Sequence, residues 1–108
     1  MGYRSPTISK KDDNHKAIES LFNKLGWSTL DISALKNCAD IVCGKGDAVK
    51  KVTIVGEIKD GDKPPSQRKL SKGEEEFRDR WRGYWFKIES IQDVIDIDRT
   101  FFGGGNGV

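Results

Sequence analysis

KVTIVGEIK, residues 51–59, is the stretch that decides the fold, because its side chains alternate in character. Successive side chains of an extended chain point to opposite faces of a sheet. One face therefore receives Val52, Ile54, Gly56 and Ile58. The opposite face receives Thr53, Val55, Glu57 and Lys59. The pattern predicts a strand that is apolar on one face and ends, on the other, with a glutamate and a lysine two positions apart.

Two further strands and a helix are predicted on the N-terminal side of this stretch. Residues 27–32 (WSTLDI) and 40–44 (DIVCG) have strand-like composition, and a polar bend around Lys36 and Asn37 separates them. Before them, apolar residues recur at i, i+3, i+4 and i+7, the stripe of an amphipathic helix, at Ile18, Leu21, Phe22 and Leu25. We expect Asp12 or Asp13 to cap this helix and Gly26 to end it.

A loop, a helix, a strand and a short helix are predicted on the C-terminal side. Pro64 and Pro65 place the loop, because proline fits neither a helix interior nor a central strand. Residues 71–74 have the S-x-x-E spacing of a capping box and predict a helix that carries Phe77 and Trp81 inward. A last strand over 84–89 and a short helix over 90–96 follow. The predicted fold class is α/β, with an αβββαβ core whose central mixed sheet is flanked by helices.

The chain has 108 residues, which suits one domain. We expect that domain over residues 12–97, after a flexible basic arm (1–11) and before a glycine-rich disordered tail (98–108). No apolar run approaches the roughly 20 residues that span a bilayer, and the N-terminus lacks the apolar segment of a secretory signal. The expected location is the cytoplasm.

Charge is unevenly distributed along the chain. Net charge is only +2, but residues 1–72 are net basic and residues 73–108 net acidic. The basic part is a candidate phosphate-facing surface, and an ordinary solvated surface is the alternative interpretation. Candidate phosphate contacts near the first helix and the polar bend are Lys10, Lys11, Lys16 and Lys36. Further candidates for contacts with a DNA backbone, after the central strand, are Arg68 and Lys69.

Asp40, Glu57 and Lys59 are the candidate catalytic residues. Alternation puts Glu57 and Lys59 on one face, and Asp40 begins the preceding strand. Two carboxylates from neighbouring strands suit a hard divalent cation such as Mg²⁺, which takes oxygen ligands. An ammonium two residues further on can neutralise charge on a reacting phosphate. E-x-K alone is a weak signal, because a surface ion pair has the same spacing.

The combined pattern resembles the PD-(D/E)XK nuclease superfamily. Within it, the chain is similar to the small nucleases of the Holliday-junction resolvase-like and VRR-NUC-like groups, which are often found in phages. Ala39-Asp40-Ile41-Val42 matches the P-D motif, with alanine in place of the usual proline, and Glu57-Ile58-Lys59 matches E-x-K. The following segment, up to Glu74, resembles the loop and helix start of phage relatives. The resemblance covers residues 12–95.

This resemblance implies a restriction-endonuclease-like fold and a DNA endonuclease that uses Mg²⁺ or Mn²⁺, with Asp40 and Glu57 as metal ligands. The implied substrate is branched or nicked DNA. Because so small a domain covers little DNA, a homodimer is the expected assembly. A catalytically inactive module of the same fold, which binds nucleic acid or docks a partner, is the alternative, since a fold does not fix a function.

Supporting residues are also implied by the resemblance. Many relatives carry a metal-facing glutamate on the first helix, a position that falls near Asn14 or His15 in this chain. Either side chain is a candidate to contact the metal or its surroundings. Ser66 and Gln67, in the loop after the central strand, are candidate supporting groups beside the site.

Overall fold

The computed structural model of the chain describes residues 13–103, which form three helices and four strands. In chain order the elements are α1 (Asp13–Lys24), β1 (Ser28–Asp31), β2 (Ile41–Gly46), β3 (Lys51–Ile58), α2 (Lys72–Arg80), β4 (Tyr84–Ile88) and α3 (Ile91–Asp98). The predicted α/β fold, with its αβββαβ core and short final helix, is confirmed. The predicted basic arm lies outside the described residues. None of the helices described is long and apolar enough to cross a membrane.

The four strands form one mixed sheet in the order β1-β2-β3-β4. β2 pairs antiparallel with both β1 and β3, whereas β3 and β4 pair in parallel. A parallel pair needs a crossover connection, and α2 lies within it. The register sets Ile41 of β2 opposite Gly56 of β3. Asp40, one residue before β2, is therefore placed beside the C-terminal end of β3.

One face of the sheet, called here the core face, carries the hydrophobic core and is covered by α1 and α3. Its largest fully buried side chains come from both helices and three strands, namely Ile18, Phe22, Ile41, Ile54, Ile88 and Val94. Gly56 sits at its centre, where a Cβ would come within 2.6 Å of Ile88 and 3.1 Å of Ile41. The apolar alternation predicted for β3 is confirmed, because Val52, Ile54 and Ile58 are all buried in this core.

The opposite face of the sheet, called here the α2 face, is covered less completely. The capping box predicted at Ser71 and Glu74 is present, but none of the nine residues of α2 is buried. The expectation that Phe77 and Trp81 point inward is wrong for Trp81, which is 41% exposed. Trp81 caps the helix C-terminus in an extended conformation, so it leaves the helical periodicity. Its ring stacks on that of Phe77 with centroids 5.4 Å apart.

The folded region extends further towards the C-terminus than the sequence indicates. We expected a disordered tail from residue 98, whereas α3 runs to Asp98 and a π-helical turn, Arg99–Gly103, follows it. Phe101 and Phe102 pack against the core, and Phe102 meets the Trp27 ring edge-to-face at 5.8 Å. Burial of these two aromatic rings stabilises the segment despite the conformational freedom of its glycine. Residues 104–108 lie outside the described part.

Candidate active site

The β2–β3 register fixes Asp40 next to the end of β3. The backbone N–H of Asp40 donates to the carbonyl of Gly56 at 2.8 Å. Its side-chain Oδ2 accepts a hydrogen bond from the backbone N–H of Ile58 at 2.7 Å. Ala39, at the position where the resemblance expects proline, is buried at 1% exposure. Two hydrogen bonds to β3 thus hold the Asp40 carboxylate in place without the proline.

Glu57 lies on the α2 face in hydrogen-bonding contact with Asp40. Glu57 is only 3% exposed, although its side chain is ionisable. Burial, then the hydrogen bond and charge of Asp40, and then the charge of Glu74 raise the pKa of Glu57 to about 9. Carboxylates in contact repel when both are ionised, so one proton is retained at neutral pH. The predicted pair of carboxylates is therefore brought together by the fold.

Lys59 follows β3 and places its ammonium at the same carboxylates. Its Nζ lies 3.9 Å from Oε2 of Glu57 and 3.0 Å from Oε1 of Glu74. Its backbone N–H donates to the carbonyl of Ile88 at 3.0 Å, which extends the parallel pairing beyond the strand. Asp40, Glu57 and Lys59, the three residues predicted to act together, form one cluster.

Glu74 is the member of this cluster that the sequence analysis assigned only to a helix cap. Its Oε1 accepts hydrogen bonds from the backbone N–H of Ser71 at 2.8 Å and from Lys59 Nζ at 3.0 Å. Its carboxylate also hydrogen-bonds with Glu57. Burial opposes ionisation, but the hydrogen bonds from Ser71 and Lys59 lower the pKa of Glu74 overall. The feature of the sequence that could have placed Glu74 in the cluster is its capping box, which follows the E-x-K residues after a single loop.

We compared the chain with protein-family models, with curated proteins and with solved structures. None of them matches it. The functional assignment therefore depends on the contacts among Asp40, Glu57, Lys59 and Glu74.

The two first-helix candidates separate in the structure. Asn14 lies at the start of α1, and its Nδ2 donates to the backbone carbonyls of Lys59 at 2.7 Å and Glu89 at 3.4 Å. It holds the ends of β3 and β4 against α1, and within residues 13–103 its side chain hydrogen-bonds with backbone carbonyls, not with the carboxylates. His15 is buried and lies 3.7 Å from Asp31 of β1. Asp31 shares the core face with Ile41, so His15 is away from the cluster on the α2 face.

Among the loop candidates, the structure connects Arg68 to the fold and leaves the others at the surface. Ser66 and Gln67 are exposed in a 3₁₀ turn, Pro65–Gln67. Within residues 13–103, neither side chain hydrogen-bonds with the cluster. Arg68 is half-buried and pairs with Glu89 at 3.3 Å.

Five lysines were also predicted to contact phosphate or the DNA backbone. Lys16, on α1, and Lys36, in the bend before β2, are exposed, as is Lys69. Lys10 and Lys11 lie outside the described residues. The bend reaches the start of α2, because a Cβ on Gly73 would meet the Asn37 side chain. Lys36 is therefore on the side of the molecule that carries the cluster.

The donor set of Asp40 and Glu57 suits a divalent cation. The two carboxyl groups are in contact and Glu57 retains a proton at neutral pH, so a cation that replaces this proton would relieve the repulsion between two ionised carboxylates. Glu74 adds a third carboxylate through Glu57, but the three do not converge within 4.8 Å. Among the described residues, the group of three ligand-bearing side chains that does so lies elsewhere, at His15, Glu19 and Asp31.

Proposed function

We propose that this chain is a DNA endonuclease that uses Mg²⁺ or Mn²⁺ and resembles the PD-(D/E)XK nucleases. The observation that carries the proposal is the contact between the Asp40 carboxyl group, just before β2, and the Glu57 carboxyl group of β3, with the Lys59 ammonium 3.9 Å from Glu57. The Lys59 ammonium, on a half-buried side chain, already has Glu74 as an ion-pair partner at 3.0 Å, so a structural ion pair does not by itself explain the two carboxyl groups in contact beside it. The order of elements is the one that the resemblance implies.

Each member of the cluster has a defined part in this proposal. Asp40 and Glu57 would hold the cation through their carboxylate oxygens. When bound, the cation supplies positive charge that polarises the phosphate and stabilises the leaving oxygen. Lys59 neutralises the negative charge that develops on the phosphate in the transition state. Glu74 holds the Lys59 side chain in position through their 3.0 Å ion pair.

The substrate and the assembly follow from the resemblance and from size. We propose branched or nicked DNA as the preferred substrate, as for Holliday-junction resolvases, and the cytoplasm of a bacterium or a phage-infected cell as the location. A second copy would present a second centre to the other strand. Light scattering of the purified protein with and without a four-way junction measures this stoichiometry.

Cleavage assays on matched variants test the proposal. The substrates are four-way junction, flap, nicked and linear duplex DNA, each with Mg²⁺, Mn²⁺, Ca²⁺ or EDTA. Asp40→Asn and Glu57→Gln should both abolish cleavage, because each removes a metal-binding charge. Lys59→Ala should bind Mg²⁺ but cut about 10²-fold more slowly, the scale for one preorganised electrostatic group.

Two variants serve as controls for the loss of charge alone. Asp62→Asn removes an exposed carboxylate from the loop after Lys59, and Lys24→Ala removes an exposed lysine from the end of α1, which covers the core face. Both should cut at the wild-type rate. Cleavage that survives in both carboxylate variants would come from another enzyme. DNA binding without metal-dependent cleavage of any substrate would favour the alternative, an inactive nucleic-acid-binding module.

A further inference from the structure

A separate cluster of ligand-bearing side chains joins α1 to β1. His15, Glu19 and Asp31 each offer one ligand atom, and these atoms lie within 4.8 Å of one another. His15 and Glu19 are four residues apart on α1, so they project from the same side of the helix. Asp31 is the last residue of β1. The chain thus brings a nitrogen and two carboxylates together from two elements.

The three side chains of this cluster differ in how deeply they are buried. His15 is buried, at 5% exposure. Glu19 is half-buried, and the side chain of Asp31 is 25% exposed. An ion can therefore approach from the carboxylate side, while the imidazole forms the inner wall.

Neighbouring hydroxyl and amide groups orient both carboxylates. Oδ1 of Asp31 accepts hydrogen bonds from the backbone N–H and the hydroxyl of Ser33, at 2.9 and 2.6 Å. This turns Oδ2 towards Nε2 of His15, 3.7 Å away. Glu19 accepts a weaker hydrogen bond from Thr29 at 3.4 Å. Metal ligands in proteins are typically held by such outer hydrogen bonds.

We propose that His15, Glu19 and Asp31 form a binding site for a divalent transition-metal ion, with Zn²⁺ as its representative. Ligand bonds of about 2.0–2.2 Å place the donor atoms roughly 3–4 Å apart around such an ion, so small side-chain movements close the site. One imidazole with two carboxylates favours zinc-like ions over Mg²⁺, which prefers oxygen ligands alone. The bound ion would join the start of α1 to the edge strand β1.

This site is independent of the proposed nuclease centre. Asp31 pairs with Ile41, whose side chain is buried in the core face. Asp40, one residue earlier, points to the α2 face by strand alternation. The two metal sites therefore lie on opposite faces of the sheet, and the second does not depend on whether the chain cuts DNA.

The single histidine of the chain makes a direct test possible. In ¹⁵N-labelled protein without a histidine tag, the imidazole region of a long-range ¹H–¹⁵N spectrum contains His15 alone. One equivalent of Zn²⁺ should change the Nε2 signal, and the Asp40→Asn/Glu57→Gln double variant should show the same change. An Nε2 signal that stays constant under excess Zn²⁺ overturns the proposal. Loss of the change in the double variant overturns the independence of the site.

Matched variants distinguish a built site from general negative charge. Glu19→Gln keeps the size of the side chain and should weaken the Zn²⁺ affinity, read from the same signal, by roughly tenfold or more. Glu76→Gln, on the exposed surface of α2, should leave it unchanged. A Zn²⁺ affinity of Glu19→Gln equal to that of the wild type would contradict a three-ligand site. So would an equal loss of Zn²⁺ affinity in Glu19→Gln and Glu76→Gln. An equal response to Mg²⁺ contradicts the class of metal.

Discussion

Glu74 caps a helix and also positions the Lys59 side chain of the candidate site. Through Ser71 it closes the capping box at the start of α2, and through Lys59 it fixes the ammonium beside Glu57. Glutamine also closes a capping box, but it carries no charge. The two roles can therefore be separated by a single substitution.

We expect Glu74→Gln to fold normally and to cleave DNA more slowly, by about tenfold or more, because Lys59 loses its anionic partner. The loss should appear in kcat and not in KM, since the ground state of bound DNA is little affected. Single-turnover cleavage and thermal unfolding measure the two parts. Glu75→Gln, exposed at the next position of the helix, is the control. A slower Glu75→Gln enzyme would show that net charge, not the Lys59 contact, determines the rate.

A contact between two site residues can be predicted from the sequence when the residues are close along the chain or on directly paired strands. Glu57 and Lys59 share a face by strand alternation, a local rule, and Asp40 needs only the pairing of two adjacent strands. Glu74 reaches Lys59 across a loop whose path no periodicity specifies. The contact of His15 with Asp31 depends on how α1 crosses β1. The resemblance placed His15 near the proposed nuclease centre, and no local pattern in the sequence specifies this crossing.

At the scale of elements, Asp98 connects the end of α3 to the rest of the core. Its Oδ1 accepts hydrogen bonds from Trp27 Nε1 at 2.9 Å and from Lys45 Nζ at 2.7 Å. Trp27 is buried, at 2% exposure. A buried indole N–H that loses its acceptor retains the full cost of desolvation.

Asp98→Ala should lower the free energy of unfolding by about 1–3 kcal/mol, the cost of leaving a buried donor unsatisfied. Asp96→Ala, in the same helix but exposed, should lower it by less than about 0.5 kcal/mol. Urea denaturation of both variants beside the wild type gives these differences. Equal stabilities of the two variants would mean that Asp98 does not anchor α3.

The sequence predicts which segments form helices and strands better than it predicts how those helices and strands pack together. The strands, α1 and the Ser71 cap follow from periodicity and capping chemistry, which act over a few residues. α2 was expected to bury Trp81, but the helix ends at Arg80 and Trp81 turns outward. The packing of Phe101 and Phe102 was missed for a related reason. A glycine count describes local flexibility, whereas the core that receives these rings is built from distant parts of the chain.

At the scale of the whole molecule, the position of the candidate site on one face of the sheet predicts which surface contacts DNA. The proposed nuclease centre is on the α2 face, and the bend with Lys36 reaches the start of α2. Lys16 is on α1, which covers the core face. Lys36→Ala should therefore weaken DNA binding and lower the slope of log affinity against log salt by about 0.9. Lys16→Ala should change the slope less, and fluorescence anisotropy at several salt concentrations compares them. A larger effect of Lys16→Ala would place DNA across α1.

The stability of the whole fold should depend on pH through Glu57. Its pKa is about 9 in the folded protein and 4.5 ordinarily. Between these values the folded chain binds a proton that the unfolded chain has lost, so stability falls as pH rises, by up to about 1.4 kcal/mol per pH unit. Glu57→Gln should flatten this dependence. Urea denaturation from pH 5 to 9 in EDTA tests this, and parallel curves for both proteins would refute it.

The same proton should link pH to metal binding at the proposed nuclease centre. Below pH 9 the metal-free Glu57 carboxyl is largely protonated, and a cation bound between Asp40 and Glu57 requires it to ionise. Mg²⁺ binding at pH 7 should therefore release about one proton per ion, and the affinity should increase with pH until about pH 9. Calorimetry in buffers of different ionisation enthalpy measures the released proton directly. The Glu74→Gln variant keeps both ligands and should still release it, whereas Glu57→Gln has no proton to release. Mg²⁺ uptake by the wild type without proton release would mean that the ion binds outside the Asp40–Glu57 pair.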